Sequence, residues 1–238
     1  MLKKRLDNEL VARGLVLSRS QAESYIKLGK VFVDGKQITK SGFFVADTAK
    51  ISLKQVEQYV SRAGLKLASV AQVLKIDFAN TIVLDVGSST GGFTDFALRR
   101  GAKKVFAVDV GTDQLHPTLR TNQKIELHEQ TDIRDFKPLL KPDIVVIDVS
   151  FISLREILPH IAKLSSKKTK VVAMVKPQFE AGNNTRHKGV IKNDAVRREI
   201  LKDFEVWVKK YFVIIAKADS DVSGSKGNKE RFYLLHSV

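Results

Sequence analysis

Short strand-like runs, most of them strongly apolar and tipped with charge, constrain this 238-residue chain more than any other feature. They are "NTIVLDV" (80–86), "KKVFAVDV" (103–110), "KIELHEQ" (124–130), "DIVVIDV" (143–149) and "TKVVAMV" (169–175). Each is too short for a buried helix. Helical stretches separate some of them, such as "GGFTDFALRRG", which stops at Gly101, and residues 193–210. Apolar strands alternating with helices predict an α/β, Rossmann-like, doubly wound and mostly parallel sheet. The closing runs "YFVIIAKA" and "ERFYLLHSV" have only a loop between them, so an antiparallel edge strand is expected. In such sheets ligands bind beyond the carboxyl ends of the strands. Those ends are Asp85, Asp109, Asp132, Asp148 and Lys176.

The charge balance sets the class of partner. Lys and Arg number 41 against 26 Asp and Glu, a net of +15 with a pI near 9.9. That excess points to a polyanion, nucleic acid first and anionic membrane second. Cysteine is absent, which excludes disulfides, thiolate zinc sites and a thiol nucleophile. Five scattered histidines give no metal-ligand pair, so no metal is expected. No apolar run approaches the ~20 residues of a membrane span. The start "MLKKRLDNEL" has no apolar signal core. The chain reads as cytoplasmic, without a membrane partner.

The first sixty residues read as a separate unit. Leu6, Leu10, Val11 and Leu15 have helical spacing, and Gly14 is a stop. A second helix is expected from Ser20, boxed with Glu23, to Gly29. "KVFVDGKQIT" then alternates around Asp34-Gly35, a hairpin signal, and a last strand is expected near "AKISL". Residues 1–60 carry 11 basic against 6 acidic side chains. Several of the basic ones lie in the two helices or at their ends.

"VLDVGSSTGGFTDF" runs from a strand tip through a glycine-rich turn into a helix. Gly87, Gly91 and Gly92 do not form the G-x-G-x-x-G of a dinucleotide site, and there is no P-loop lysine. Asp85 would repel a phosphate. An acid there suits a cationic, amine-bearing ligand, and glycines let the backbone approach it. S-adenosylmethionine has an ammonium and a sulfonium and no phosphate. The expected cofactor contacts are Asp85, Gly87, Ser88, Ser89, Gly91, Gly92 and Phe93 in the turn. Asp109 and Val110 are expected at the ribose hydroxyls, and Asp132, Ile133 and Asp148 further along the strand tips. Lys176 sits between an apolar strand and Pro177, a partly desolvated place. Glu230 opens the last strand. Removing a proton from a hydroxyl suits a lysine held by carboxylates. Phe151, Phe179 and Trp207 are read as core residues, though the first two are also placed to stack on a base.

Two resemblances sharpen this reading. "RLDNELVARGLVLSRSQAESYIKLGKVFVDGK" resembles the S-four-type RNA-binding domain, a small α+β module. The likeness implies RNA contacts, mostly to phosphate and shape, from Arg5, Arg13, Arg19, Lys27 and Lys30. Residues 61–238 resemble the FtsJ-like ribose 2′-O-methyltransferases, a class I methyltransferase fold. That likeness implies a Lys-Asp-Lys-Glu tetrad, which falls by motif on Lys66, Asp148, Lys176 and Glu230. With both parts together, "YVSRAGLKL", "DVGSSTGGFTD", "AVDVGTDQLH", "DVSFISL", "KPQFEAG" and "GSKGNKE" are similar to blocks of the TlyA (haemolysin A) family of rRNA cytidine 2′-O-methyltransferases. The implied organisation is an RNA-binding domain at 1–58, a linker at 59–62 and a methyltransferase domain at 63–238. The implied partner is ribosomal RNA or a ribosomal subunit. Arg62 and the loop residues Arg186 and Lys188 are further candidate phosphate contacts.

Rival readings are an assembly factor that binds RNA without catalysis, a ribose methyltransferase of another RNA, and a membrane-active haemolysin. Lys66 is the open residue. With Ser69, Gln72 and Lys75 it forms a polar strip on a helix expected over 63–76, and periodicity reads that strip as solvated.

Overall fold

The computed structural model describes residues 3–54, 58–182, 189–224 and 227–238. The chain divides into two compact units, Met1–Arg62 and Ala63–Val238.

The first unit holds β1 (Lys3–Arg5), α1 (Leu6–Ala12), α2 (Arg19–Lys27), β2 (Val31–Val33), β3 (Lys36–Ile38), β4 (Phe44–Ala46) and β5 (Ile51–Leu53). The expected hairpin is β2–β3, with Asp34 and Gly35 both in the left-handed region that such a two-residue turn requires. β5 pairs with the other edge of β2. Leu6 and Leu10 on α1 and Ala22, Tyr25 and Ile26 on α2 are buried together with Val31. The start of α2 corrects the expectation. Ser18 caps it, accepting from the Gln21 N–H, and Gln21 accepts from the Leu17 N–H. "SRSQAE" contains two overlapping capping patterns, and the earlier one closes.

The second unit contains α3 (Arg62–Ala71), β6 (Ile82–Val86), α4 (Gly92–Arg99), β7 (Lys104–Val108), α5 (Pro117–Arg120), β8 (Ile125–His128) and β9 (Ile144–Ile147). It continues with α6 (Leu154–Leu164), β10 (Lys170–Val175), α7 (Pro177–Glu180), α8 (Asp194–Val208), β11 (Phe212–Asp219) and β12 (Arg231–Ser237). Its seven-stranded sheet has the order β11-β12-β10-β9-β6-β7-β8. The ladders from β10 to β8 are all parallel. β12 lies antiparallel between β10 and β11, so the expected antiparallel pair forms one edge. Apolar side chains of β6, β9 and β10 pack on Leu154, Ile157, Leu158 and Ile161 of α6 and on Leu201 and Phe204 of α8. Trp207 is half-buried against this core and stacks near Tyr211. α3 ends at Ala71, short of the expected 63–76, and Lys75 has a left-handed backbone. No helix among the described residues is long and apolar enough to cross a membrane.

A buried acid organises the first unit's charge. The Asp7 carboxylate accepts from Arg5 Nε and Nη2 (3.0 and 2.7 Å) and from Arg19 Nε (3.0 Å). Arg5, and to a lesser degree Arg19, holds the Asp7 carboxyl below the usual carboxylate range. A depressed acid stabilises the folded state above its unfolded pKa and loses that contribution as pH falls through the folded value. We therefore expect Asp7→Ala to cost this unit about 1–3 kcal/mol at neutral pH. Hydrogen exchange at the amides of α1 and α2 is the measurement. The difference should shrink below about pH 4; unchanged protection at neutral pH would contradict the assignment.

Candidate active site

Parallel strands of similar length end together, and here their carboxyl ends form one wall of a cleft of about 460 Å³. Gly87 turns the chain away from the tip of β6 with φ +76°. Its N–H and that of Ser88 donate to the Val108 carbonyl, and a Cβ at Gly87 would lie 2.8 Å from the Asp148 carbonyl oxygen. Both the dihedral and the close approach require glycine. Gly91 precedes α4 at φ +90°, where a Cβ would strike Leu115 and Leu119. The turn is thus packed from behind and open toward the cleft.

The acids at the strand tips have different surroundings. Asp85 is wholly buried; Thr94 Oγ1 donates to its Oδ2 at 2.7 Å, and its Oδ1 has no partner among the described residues. Burial, added to by the nearby carboxylates of Asp148 and Asp109, pushes its carboxyl up to about 7. Asp109 faces the cleft and accepts from the N–H groups of Ser89 (2.8 Å) and Gly111 (2.7 Å), so its position is fixed by backbone. Asp132 also lines the cleft, in a bidentate pair with Arg134 at 3.0 and 2.6 Å. Arg134 holds that carboxyl below the usual range. Gly87, Ser89, Val110, Ile133 and Asp148 line the same space. Ser88 is buried, its hydroxyl without a partner among the described residues, and Gly92 opens α4. Phe93 is placed differently from the cofactor role expected of it. It is buried in the core, 6.0 Å from the Phe232 ring, because the first turn of α4 points it at the sheet.

The sheet register brings together three residues of the expected tetrad, and α3 supplies the fourth, Lys66. Val175 on β10 pairs with Arg231 on β12, so the next residues along this antiparallel ladder, Lys176 and Glu230, stand opposite each other. Asp148 follows β9, the other neighbour of β10. Lys176 Nζ lies 2.5 Å from Asp148 Oδ1 and donates to Ser150 Oγ at 2.8 Å. Lys66 Nζ lies 2.6 Å from Glu230 Oε2. Among the described residues Asp148 Oδ1 and Glu230 Oε2 accept no hydrogen bond, yet at these distances each is in direct charge contact with a lysine. Lys66 is only 7% exposed and Glu230 2%. The solvated reading of Lys66 is therefore overturned: its helix packs in the second unit with that strip partly inward, and a carboxylate compensates the charge.

Two more findings lie at this edge. Phe151 is 93% exposed, not core, with φ +67° and its ring 5.5 Å from that of half-buried Phe179. Phe151 follows β9 outside the strand, and it lines the cleft. Glu180 was not anticipated. Buried on α7, it accepts from Ser153 Oγ (2.6 Å) and the Leu154 N–H (2.8 Å) at the start of α6, and burial raises its pKa. An acid four residues after Lys176 was the available signal, but nothing in the sequence ties it to Ser153.

The expected RNA contacts divide. Arg13 is engaged internally, with Glu9 Oε1 at 2.8 Å and the carbonyls of Ala49 and Asp47 at 2.8 and 2.9 Å. Arg5 and Arg19 share Asp7 but keep exposed sides. Lys27 is exposed and Lys30 half-buried, and neither has an acidic partner among the described residues. Arg62 begins α3. Arg186 and Lys188 lie outside the described residues.

Comparison with known proteins shows the family. A model of the FtsJ-like methyltransferases matches residues 59–237, and one of the S4 domain matches residues 4–51. The chain is 39% identical over 240 residues to Hemolysin A of Brachyspira hyodysenteriae, covering 98% of this chain and 99% of that protein. It is 37% identical over 245 residues to the 23S rRNA (cytidine-2′-O)-methyltransferase TlyA of Campylobacter jejuni, covering 94% and 96%. A solved structure from Streptococcus thermophilus, named as a hemolysin, superposes with a TM-score of 0.74 at 36% identity, over 100% of this chain and 90% of that one. The chain belongs to the FtsJ-like methyltransferase family, in the TlyA (haemolysin A) group, with an S4 domain ahead of the methyltransferase domain.

Proposed function

We propose that this protein transfers a methyl group from S-adenosylmethionine to the ribose 2′-hydroxyl of a cytidine in ribosomal RNA, in the cytoplasm. Residues 1–58 would bind RNA, 59–62 link, and 63–238 catalyse. The observation that carries the reading is the pairing of two lysines with two carboxylates at one sheet edge, beside a cleft lined by acids. The Campylobacter relative's name states the same reaction on the same nucleoside.

The donor set fits the cofactor. Acids and backbone N–H groups line or underlie the cleft, Gly87 admits close backbone approach, and Asp85 keeps one buried oxygen unpartnered. Asp85 and the turn from Gly87 to Gly92 would hold the amino-acid end. Asp109 and Val110 would hold the ribose, and Asp132 and Ile133 the base. When bound, S-adenosylmethionine supplies an electrophilic methyl on a sulfonium.

The protein's own groups do the rest. A ribose hydroxyl is a weak nucleophile, so its proton must leave as the new bond forms. Lys176 Nζ, as the neutral amine left once its own proton has gone to solvent, is the acceptor of that proton; Asp148 and Ser150 orient it, and Asp148 balances the charge it gains. Lys66, fixed by Glu230, holds the ribose in line. Phe151 offers an exposed ring on which the target base stacks. Lys27, Lys30 and the outer sides of Arg5 and Arg19 contact phosphates, with Arg62, Arg186 and Lys188 as further contacts.

Three outcomes are expected. Lys176→Ala should cut methylation at least about a hundredfold while leaving RNA affinity intact. Mass spectrometry of rRNA nucleosides from cells carrying either form reads it, and an undiminished 2′-O-methylcytidine peak would remove Lys176 as the base. Affinity for S-adenosylmethionine should climb as pH rises through about 7, because Asp85 ionises there and its carboxylate attracts the ligand's ammonium. Asp85→Asn should flatten that climb in calorimetry; an equally steep rise would place the titrating group elsewhere. Replacing Lys27 and Lys30 together by Ala should lower the salt slope of RNA binding by about two. A slope equal to that of the unaltered protein would move the phosphate contacts away from Lys27 and Lys30.

A further inference from the structure

The loop ahead of β12 contains two glycines with opposite reasons for being glycine. Gly227 has φ +86° and open space where a Cβ would be, so its backbone conformation is the requirement. Gly224 has no left-handed dihedral. A Cβ there would instead lie 2.2 Å from Glu230 Oε1 and 2.7 Å from its Cδ, far inside contact distance. What forbids a side chain at Gly224 is the carboxylate that sits on Lys66.

The backbone around that contact is pinned. The Gly224 N–H donates to the Asn228 carbonyl at 2.8 Å, and the Gly227 N–H to the Gly224 carbonyl at 3.1 Å. Asn228 is buried; its Oδ1 accepts from the Ile191 N–H and its Nδ2 donates to the Gly189 carbonyl, both at 3.0 Å. Arg197 Nε donates to the Lys229 carbonyl at 3.0 Å, and the Ser220 N–H to the Glu230 carbonyl at 3.1 Å. With the main chain tied at each of these points, the free end of Glu230 is the part that can yield to an intruding methyl group.

We propose that Gly224 is a positioning residue for the reaction: it keeps vacant the space in which the Glu230 carboxylate lies against Lys66. This rests on the reading of Glu230 as a member of the catalytic group. A methyl group at this position displaces the carboxylate from Lys66 and leaves the fold intact. The effect falls on turnover, since neither the cleft wall nor the first unit is touched.

The test is a double-substitution cycle on the full-length protein, read as kcat, KM for RNA and thermal midpoint. Gly224→Ala alone should lower kcat about tenfold or more with KM and the midpoint near their original values. Glu230→Asp shortens the side chain by one methylene and withdraws the carboxylate from Gly224. In the Glu230→Asp background, adding Gly224→Ala should change kcat less than about twofold. Equal losses in both backgrounds would overturn the proposal, and so would a Gly224→Ala protein with unaltered kcat. A lowered midpoint with the same fold-loss in both backgrounds would assign Gly224 to loop stability and overturn it as well. Glu230→Ala separates the two levels of inference: full activity there would refute the catalytic role of Glu230 itself, independently of Gly224.

Discussion

The ion pair between Lys66 and Glu230 ties the first helix of the catalytic unit to its last strand. Burying two charges costs several kcal/mol in desolvation, and their mutual attraction often does no more than offset it. A well-packed apolar pair at the same place would serve stability as well. The pair is better understood through what it does to geometry. It holds an ammonium at the carboxyl edge of the sheet, beside a second lysine held the same way by Asp148. Two lysine amines in one small region can carry charge together only when each has its own anion close by. The sheet supplies those anions from the ends of different strands, because β9 and β10 run parallel and β12 returns antiparallel.

Much of this was legible in the residues. The strand runs, the Asp34-Gly35 turn, the stop at Gly101 and the acids at the strand tips all depend on local pattern, and local pattern is what a sequence displays directly. Three errors share one cause. Helical periodicity assigned Lys66 to solvent because it sees one helix and not the strand packed against it. Residue type assigned Phe151 to the core because it does not register a left-handed backbone. The later of two overlapping capping patterns was chosen for α2 because the favoured one depends on Gln21 reaching back to Leu17. The proposed tetrad rests on resemblance for its four positions, and the sequence alone does not pair them. Glu180 and the ties around Asn228 were not legible, since their partners are distant in sequence.

The basic excess also takes a different meaning once contacts are known. Arg13 satisfies two carbonyls and a carboxylate, and Asp7 draws in Arg5 and Arg19. These arginines shape the first unit as much as they charge it. Net charge measures long-range attraction to a polyanion, whereas the surface that meets phosphate is set by which cations remain unpaired. On that count Lys27 and Lys30 stand ahead of Arg13.

The place of β12 has a consequence for the order in which the molecule can be assembled. β11 precedes β12 in the chain, but among the described strands it pairs with the sheet only through β12. During synthesis β11 therefore emerges with no strand to join. It must wait until β12 slots in beside β10. The same slotting delivers Glu230 to Lys66. Closure of the sheet and completion of the charged group at its edge are one event, set by the docking of β12.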